Sequence, residues 1–505
     1  MKFLLITSVL ISSLTANATE VDAKVHNDIL IKTPKSMPSL YLKRSVNSQR
    51  MSLSNDDYTP NDPWFKYQSQ WNESTIEKPS SNNILNSVRG LSPLRRGTIG
   101  VIDSGFYEHP DVSYFDGYNM VSRSEREKGE YFYVSEEFNT DPDTRRANCG
   151  VHGTGVAGVS SATRDNNLGM AGISDANLIA VRAMNCGSGY LSDAANSLAW
   201  LSGTQVDDIR PPKEKADVVN LSLGALASDC PNYIQEPVTS AINNDTLVVA
   251  AAGNDSIDAS GFTPANCTGV ITVASAGEDG HILPSSNFGM MIDIAALGEN
   301  VTSFTSDEDV VGWWAGTSFA APTVSGVLMN AVQEFGDVSV TEAKFFMSAT
   351  ATPFISGICD DSTHCGPGIL DAEAFHSALR MYKSGNMVTL RPALGNTEFC
   401  DKTLYATTDD ELARLCSLNE ITLPHYQGSR KDIRYEVLAY DKEEEISNDS
   451  GELVLTLYNE KSLVSSLDMS LFNYGIRMCD NDRCFGDQPL PIKNALSEIP
   501  AICKE

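Results

Sequence analysis

Short runs of β-branched and aliphatic residues alternate along this chain with segments long enough for helices. The runs are Thr98-Ile99-Gly100-Val101-Ile102, Val218-Val219-Asn220-Leu221, Leu247-Val248-Val249-Ala250 and Val270-Ile271-Thr272-Val273. Between them lie Ser192 to Leu201 and Tyr233 to Ile242, each with one apolar face. A strand that is apolar at successive positions has no solvent side, so it must be covered above and below. With helices as the connections, the covered solution is a mostly parallel sheet with helices on both faces, the α/β class. Ligands of such sheets gather beyond the carboxyl ends of the strands, and the chemistry is expected there.

The flanks read differently. Met1-Lys2-Phe3, the apolar stretch Leu4 to Leu14 and the small-x-small pattern Ala16-Asn17-Ala18 predict a signal peptide over residues 1–18, cleaved after Ala18. Residues 19–60 lack a clear period and read as a leader or propeptide, and residues 61–384 form the α/β unit. From about residue 385 to 505 the strand-length segments Arg434 to Tyr440 and Glu452 to Tyr458, with an acidic turn between, predict a small, mostly β C-terminal domain, separable from the rest. No later apolar run is long enough to span a bilayer, so a secreted or periplasmic protein without a membrane anchor is expected. All eleven cysteines lie beyond the signal, where disulfides persist, and the odd number leaves one unpaired. Zinc would want paired clusters, and Cys359, His364 and Cys365 have no second half. The balance of 66 acidic against 37 basic residues, a net charge of −29, repels phosphate backbones and argues against nucleic acid as a partner.

Three segments place one reactive group among small residues where strands end or helices begin. Ile102-Asp103-Ser104-Gly105 follows the first run, Gly150-Val151-His152-Gly153-Thr154-Gly155 opens a small-residue helix, and Gly316-Thr317-Ser318-Phe319-Ala320-Ala321-Pro322 opens another. A serine hydroxyl is a poor nucleophile until an imidazole takes its proton, and the imidazole needs a carboxylate to fix its tautomer. Asp103, His152 and Ser318 fill those roles, in one of the chain orders in which the triad occurs.

With those motifs the sequence resembles the subtilisin-like serine proteases, the subtilase family, over roughly residues 60 to 380. Supporting blocks are Asn167-Leu168-Gly169-Met170-Ala171-Gly172, Asn220-Leu221-Ser222-Leu223-Gly224 and Ala251-Ala252-Gly253-Asn254. The resemblance implies a secreted endopeptidase made as a zymogen, monomeric, acting on proteins or peptides and needing no cofactor for catalysis. It implies that Asn254 donates its amide to the oxyanion together with the Ser318 N–H. It further implies that Ser222-Leu223-Gly224 and Gly187-Ser188-Gly189 are the two backbone edges for an extended substrate, and that Ala251-Ala252-Gly253 walls the primary pocket. Gly155 stands where many relatives carry a second histidine, and the leader, at about forty residues, is shorter than the family's usual inhibitor-like propeptide. Asp141 and Asp143 are the candidates for a structural calcium site, although no acidic loop with full ligand spacing surrounds them. The narrower resemblance to disulfide-bearing secreted bacterial subtilases implies Cys149–Cys186, Cys230–Cys267 and Cys359–Cys365. Spacing favours Cys400–Cys416 and Cys479–Cys484, leaving Cys503, without fixing connectivity. Two alternatives stay open: a processing protease selective for basic sites, for which Asp255 and Asp258 are the nearest acids, and a catalytically silent binding protein.

Overall fold

All four apolar runs are strands of one sheet in the computed structural model. It describes residues 30–32, 41–42, 58–71, 83–121 without 90 and 92, 132–133, 151–305 without 186, 311–355 and 364–392. Beyond these it describes 419–424, 433–440, 446, 451–457, 462–465, 473–480 and 484–494. The strands are β1 (Thr98–Asp103), β2 (Tyr114–Asn119), β3 (Asn177–Arg182), β4 (Val218–Leu221), β5 (Leu247–Ala251), β6 (Ile271–Ala276) and β7 (Ile294–Leu297). They pair in the order β7-β6-β5-β4-β1-β3-β2, and every pairing is parallel.

Period-two alternation distributes the apolar side chains between two cores. Ile99, Val101, Leu178, Ala180, Val218, Leu247, Val249, Ile271 and Val273 point to one face. Ile102, Ile179, Val181, Val219, Leu221, Val248 and Ala250 point to the other. Full burial of each Val, Leu or Ile contributes about 1.5–3 kcal/mol, so neither face of a central strand can accept a polar residue cheaply. The first face is covered by α1 (Val151–Ser161) and α4 (Thr317–Phe335), the second by α2 (Leu191–Leu201) and α3 (Asn232–Asn243). Helix α1 is buried nearly all round, because Gly153 lets Gly105 approach, Gly155 lets Phe304 and, on α4, Phe319 approach, and Gly158 lets Phe304 pack on its backbone.

Past α4 follow α5 (Val340–Ala349) and α6 (Ala372–Lys383). The C-terminal sheet contains β8 (Arg434–Tyr440), β9 (Glu452–Leu457), β10 (Asn473–Cys479) and β11 (Cys484–Pro491), antiparallel in the order β9-β8-β10-β11. A second small sheet joins the strands Thr389–Pro392, Asn419–Thr422, Ser462–Ser465 and Lys493–Asn494. Tyr435, Val437 and Ala439 join the main core, with the rings of Phe345 on α5 and Tyr435 6.2 Å apart, while Leu438 and Tyr440 form a small cluster with Ile446. On the opposite side Glu436 accepts from Arg434 Nε at 2.7 Å and Arg477 Nε at 2.9 Å.

The expected bridges Cys230–Cys267 and Cys479–Cys484 are both present. Cys365 is disulfide-bonded; its expected partner Cys359 lies outside the described residues, as do Cys149, Cys186, Cys400, Cys416 and Cys503. Residues 1–18, Asp141 and Asp143 also lie outside them. Among the described residues one group could gather metal ligands, Glu436 with Cys479 and Cys484, but those two sulfurs are bonded to each other. No described helix is long and apolar enough to cross a membrane.

Candidate active site

Asp103 is the last residue of β1, at the carboxyl end where the strand pattern directs attention, and His152 is the second residue of α1. Their approach depends on Gly153, where a Cβ would lie 2.2 Å from the Gly105 carbonyl oxygen. His152 Nδ1 lies 2.9 Å from Asp103 Oδ1 and 3.0 Å from Oδ2, and both residues are buried. Oδ1 also accepts from the Ser104 N–H at 2.6 Å and the Ser104 hydroxyl at 3.0 Å. An ionised carboxylate only accepts, so Nδ1 carries the proton and Nε2 is left with the lone pair. The ring is walled by Trp314 and Phe319, edge to face at 6.2 and 5.6 Å.

Ser318 is the second residue of α4, so its own N–H is one of the helix-start donors without an intrahelical acceptor. The residue after it packs on His152; the residue before it holds Asn254. Thr317 N–H and Thr317 Oγ1 donate to Asn254 Oδ1 at 2.9 and 3.0 Å. Because a backbone N–H can only donate, the amide orientation is settled and Nδ2 points away from Thr317. Three buried polar atoms around this turn have no hydrogen-bond partner among the described residues: His152 Nε2, Ser318 Oγ and Asn254 Nδ2. His152 and Ser318 stand near the starts of α1 and α4, two helices that pack against each other, and no direct hydrogen bond joins the two side chains.

Gly187 precedes a short strand that contains Ser188 and Gly189. Strand Ser188–Tyr190 pairs with Met184–Asn185 on one side, and on the other with a strand from the leader, Leu30–Lys32, in antiparallel register. Ser222-Leu223-Gly224 follows β4, and Leu30–Lys32 also runs alongside Ala225–Leu226 just beyond it. Ala251, Ala252 and Gly253 close β5 and are buried. Asp258 caps the turn Ala259–Gly261 through Ser260 N–H, and Asp255 is exposed.

The supporting hydrogen bonds are less visible in sequence than the reactive groups. Ser325 donates to Asn220 Oδ1, Asn220 Nδ2 to Ser222 Oγ, and Ser222 Oγ to the Ser318 carbonyl at 2.8 Å. This relay fastens the serine turn to the end of β4. Thr317 and Ser104 sit inside recognised motifs, yet a motif does not say who donates to whom.

A carboxylate-held imidazole and a helix-start serine, with a fixed amide beside them, set beyond the carboxyl ends of a parallel sheet, are the constellation serine hydrolases share. The chain belongs to the subtilase family, whose profile matches residues 95–382. Among its relatives, an extracellular protease of Xanthomonas campestris is 33% identical over 299 residues, 55% of this chain and 50% of that protein. An extracellular basic protease of Dichelobacter nodosus is 30% identical over 347 residues, 63% of this chain and 56% of that one. The match therefore spans about half the length of these curated relatives. The solved structure of a protease from Pseudoalteromonas arctica superposes with a TM-score of 0.55 at 32% identity, covering 64% of this chain and 99% of that chain.

Proposed function

We propose that this chain is a secreted serine endopeptidase that cleaves peptide bonds in proteins through an acyl-enzyme. Ser318 Oγ attacks the scissile carbonyl while its proton passes to His152 Nε2. Asp103 holds the tautomer and stabilises the imidazolium. The carbonyl oxygen, now an oxyanion, accepts from Asn254 Nδ2 and Ser318 N–H, and the positive end of α4 adds to both. His152 then protonates the leaving amine, and water reverses the sequence to release the acyl group. Carrying this reading are the three unpartnered atoms, since His152 Nε2, Ser318 Oγ and Asn254 Nδ2 are the groups the reaction would use.

Substrate lies in extended form along Ser188–Tyr190, as an added strand with Ser222-Leu223-Gly224 on its other side. Support comes from the chain itself, whose strand Leu30–Lys32 makes that pairing. The unprocessed chain is accordingly a zymogen whose edge is occupied, and residues 19–60 must leave before substrate enters. Export fits the signal pattern of residues 1–18 and relatives named as extracellular proteases. Asp255 and Asp258, the nearest acids for a preference for basic residues, are both exposed, and Asp258 is also engaged as a cap. The test is a fluorophosphonate label on the processed protein, with turnover of a chromogenic peptide. Ser318→Ala should abolish labelling and lower turnover on the order of 10⁶-fold with an unchanged melting temperature. Labelling that persists in Ser318→Ala would remove the assignment, and a wild type that neither labels nor cleaves would mark a binding protein.

A further inference from the structure

Asn287 lies in the connection between β6 and β7, more than thirty positions from Asn254, and is fully buried. Its side chain uses both ends. Nδ2 donates to the Ala252 carbonyl at 2.7 Å, and Oδ1 accepts from Asp255 N–H at 3.0 Å and Ile257 N–H at 3.2 Å. Its backbone N–H donates to the Gly253 carbonyl at 2.9 Å. One residue is therefore bonded to positions 252, 253, 255 and 257 and brackets Asn254 on both sides. Asn287 is itself fastened, since Ser286 Oγ donates to its carbonyl at 3.0 Å and accepts from Ser275 N–H on β6 at 3.0 Å. The fit is close: Gly253 has φ +101°, and a Cβ there would meet Asn287 Nδ2 at 2.3 Å.

We propose that Asn287 is a positioning residue for the oxyanion donor, setting the backbone turn from which the Asn254 amide is aimed. This rests on the endopeptidase reading above. Asn254 is fixed from two directions, at its amide by Thr317 and at its backbone by Asn287. A donor contributes to rate only if it stands where the oxyanion forms, and small displacements of a preorganised group are expensive. The amide is the side chain suited to this place, because it must donate to one carbonyl and accept from two N–H groups. Aspartate keeps the acceptors and sets a carboxylate oxygen against the Ala252 carbonyl. Serine is too short to span the turn. The substrate edges at Ser188–Tyr190 and Ser222–Gly224 are built from other elements, whereas the pocket wall Ala251-Ala252-Gly253 is bonded to Asn287, so the larger part of the loss should fall on kcat and a smaller part on KM.

The experiment is a double-mutant comparison on the secreted, processed enzyme: wild type, Asn254→Ala, Asn287→Asp, Asn287→Ser and each double variant. kcat and KM for a chromogenic peptide are referred to folded protein, counted from the amplitude of its cooperative melt. Asn287→Asp should lower kcat roughly 10–100-fold, with a smaller rise in KM transmitted through the pocket wall, since the main loss is of transition-state binding. In the Asn254→Ala background the same substitution should cost less than about threefold, because the donor it aims is gone. Equal losses in both backgrounds, a loss carried mainly by KM, or failure of both Asn287 variants to melt cooperatively would each mark a purely structural residue and overturn the assignment. If Asn254→Ala leaves kcat unchanged, the endopeptidase mechanism itself falls and takes the positioning role with it. If Asn254→Ala behaves as a lost oxyanion donor while the Asn287 effects are additive, only the positioning role falls.

Discussion

The parallel sheet that carries the site and the antiparallel sheet near the C-terminus fill their two faces differently. In the first, consecutive residues of a strand enter two different cores, as Val101 and Ile102 do. In the second, β8 gives Tyr435, Val437 and Ala439 to the core it shares with α5, and sets Glu436 between Arg434 and Arg477 behind it. A two-sided sheet leaves its strand ends as the natural place for polar function, and the reactive residues are found there. The ion pairs behind β8 share that face with a second apolar cluster, Leu438 and Tyr440 with Ile446, and the sheet depends on a partner element to cover its Tyr435 side. That partner is α5, so the C-terminal sheet is a packing neighbour of the catalytic layer although it contributes none of Asp103, His152, Asn254 and Ser318.

The sharpest way to break this comparison is at the shared core. Phe345→Ala removes the ring between α5 and Tyr435 and should lower the unfolding free energy by about 3–5 kcal/mol, read from urea melts. Turnover per folded molecule should stay the same; a matching fall in kcat would mean the C-terminal sheet shapes the site. Disulfides separate the regions next. Loss of Cys230–Cys267, which spans 37 positions, should cost about 4 kcal/mol on chain entropy. Loss of Cys479–Cys484, spanning 5, should cost only about 2 kcal/mol. Thermal melts of the paired Cys→Ser variants decide whether the difference follows loop length.

Acid should weaken the two regions in turn. His376 on α6 donates through Nε2 to the Val327 carbonyl of α4, and burial, with a smaller push from Arg380, takes it from 6.5 down to about 4. The folded site refuses a proton that the unfolded chain accepts. Stability is therefore full above pH 6.5 and falls towards pH 4, by up to about 3 kcal/mol. His376→Gln should flatten that slope in melts across the window. Burial alone would raise Glu436, but the hydrogen bonds from Arg434 and Arg477 outweigh it and hold the carboxyl below its ordinary range. Its contribution persists above the ordinary carboxylate range and is lost only as pH drops through the depressed value, after His376 has begun to act.

Central strands were legible in the sequence because burial on two sides allows little but aliphatic residues, as in Leu247–Ala251. The inner strand β3, Asn177–Arg182, is absent from the four runs despite its aliphatic middle, and the two outer strands of the same sheet are absent as well. Tyr114–Asn119 carries Asp116, whose carboxylate is bonded to Arg210, and Ile294–Leu297 is short and small. At the C-terminus, β8 and β9 could be read from their alternation, whereas Gly475 and Arg477 in β10 and the prolines of β11 disguise the other pair. Spacing still anticipated the bridge between them. For the site, Asp103, His152, Ser318 and Asn254 stand in local motifs. What aims them is harder to read: Asn287 stands in none of those blocks, and Asn220, although it opens the block Asn220–Gly224, is joined to Ser325 across a long separation that leaves no periodic trace.

The strand Leu30–Lys32 is tethered to the edge with which it pairs. A tethered ligand meets its site at an effective concentration in the millimolar range, so on the reading proposed above, in which substrate takes this edge, free peptide at micromolar levels is outcompeted by on the order of a thousandfold. Mere dilution of the protein would not relieve that competition, because both partners travel together. Catalysis would begin only when the tether is severed and its fragment diffuses away, and the lag in a progress curve would then time maturation rather than the speed of the chemistry.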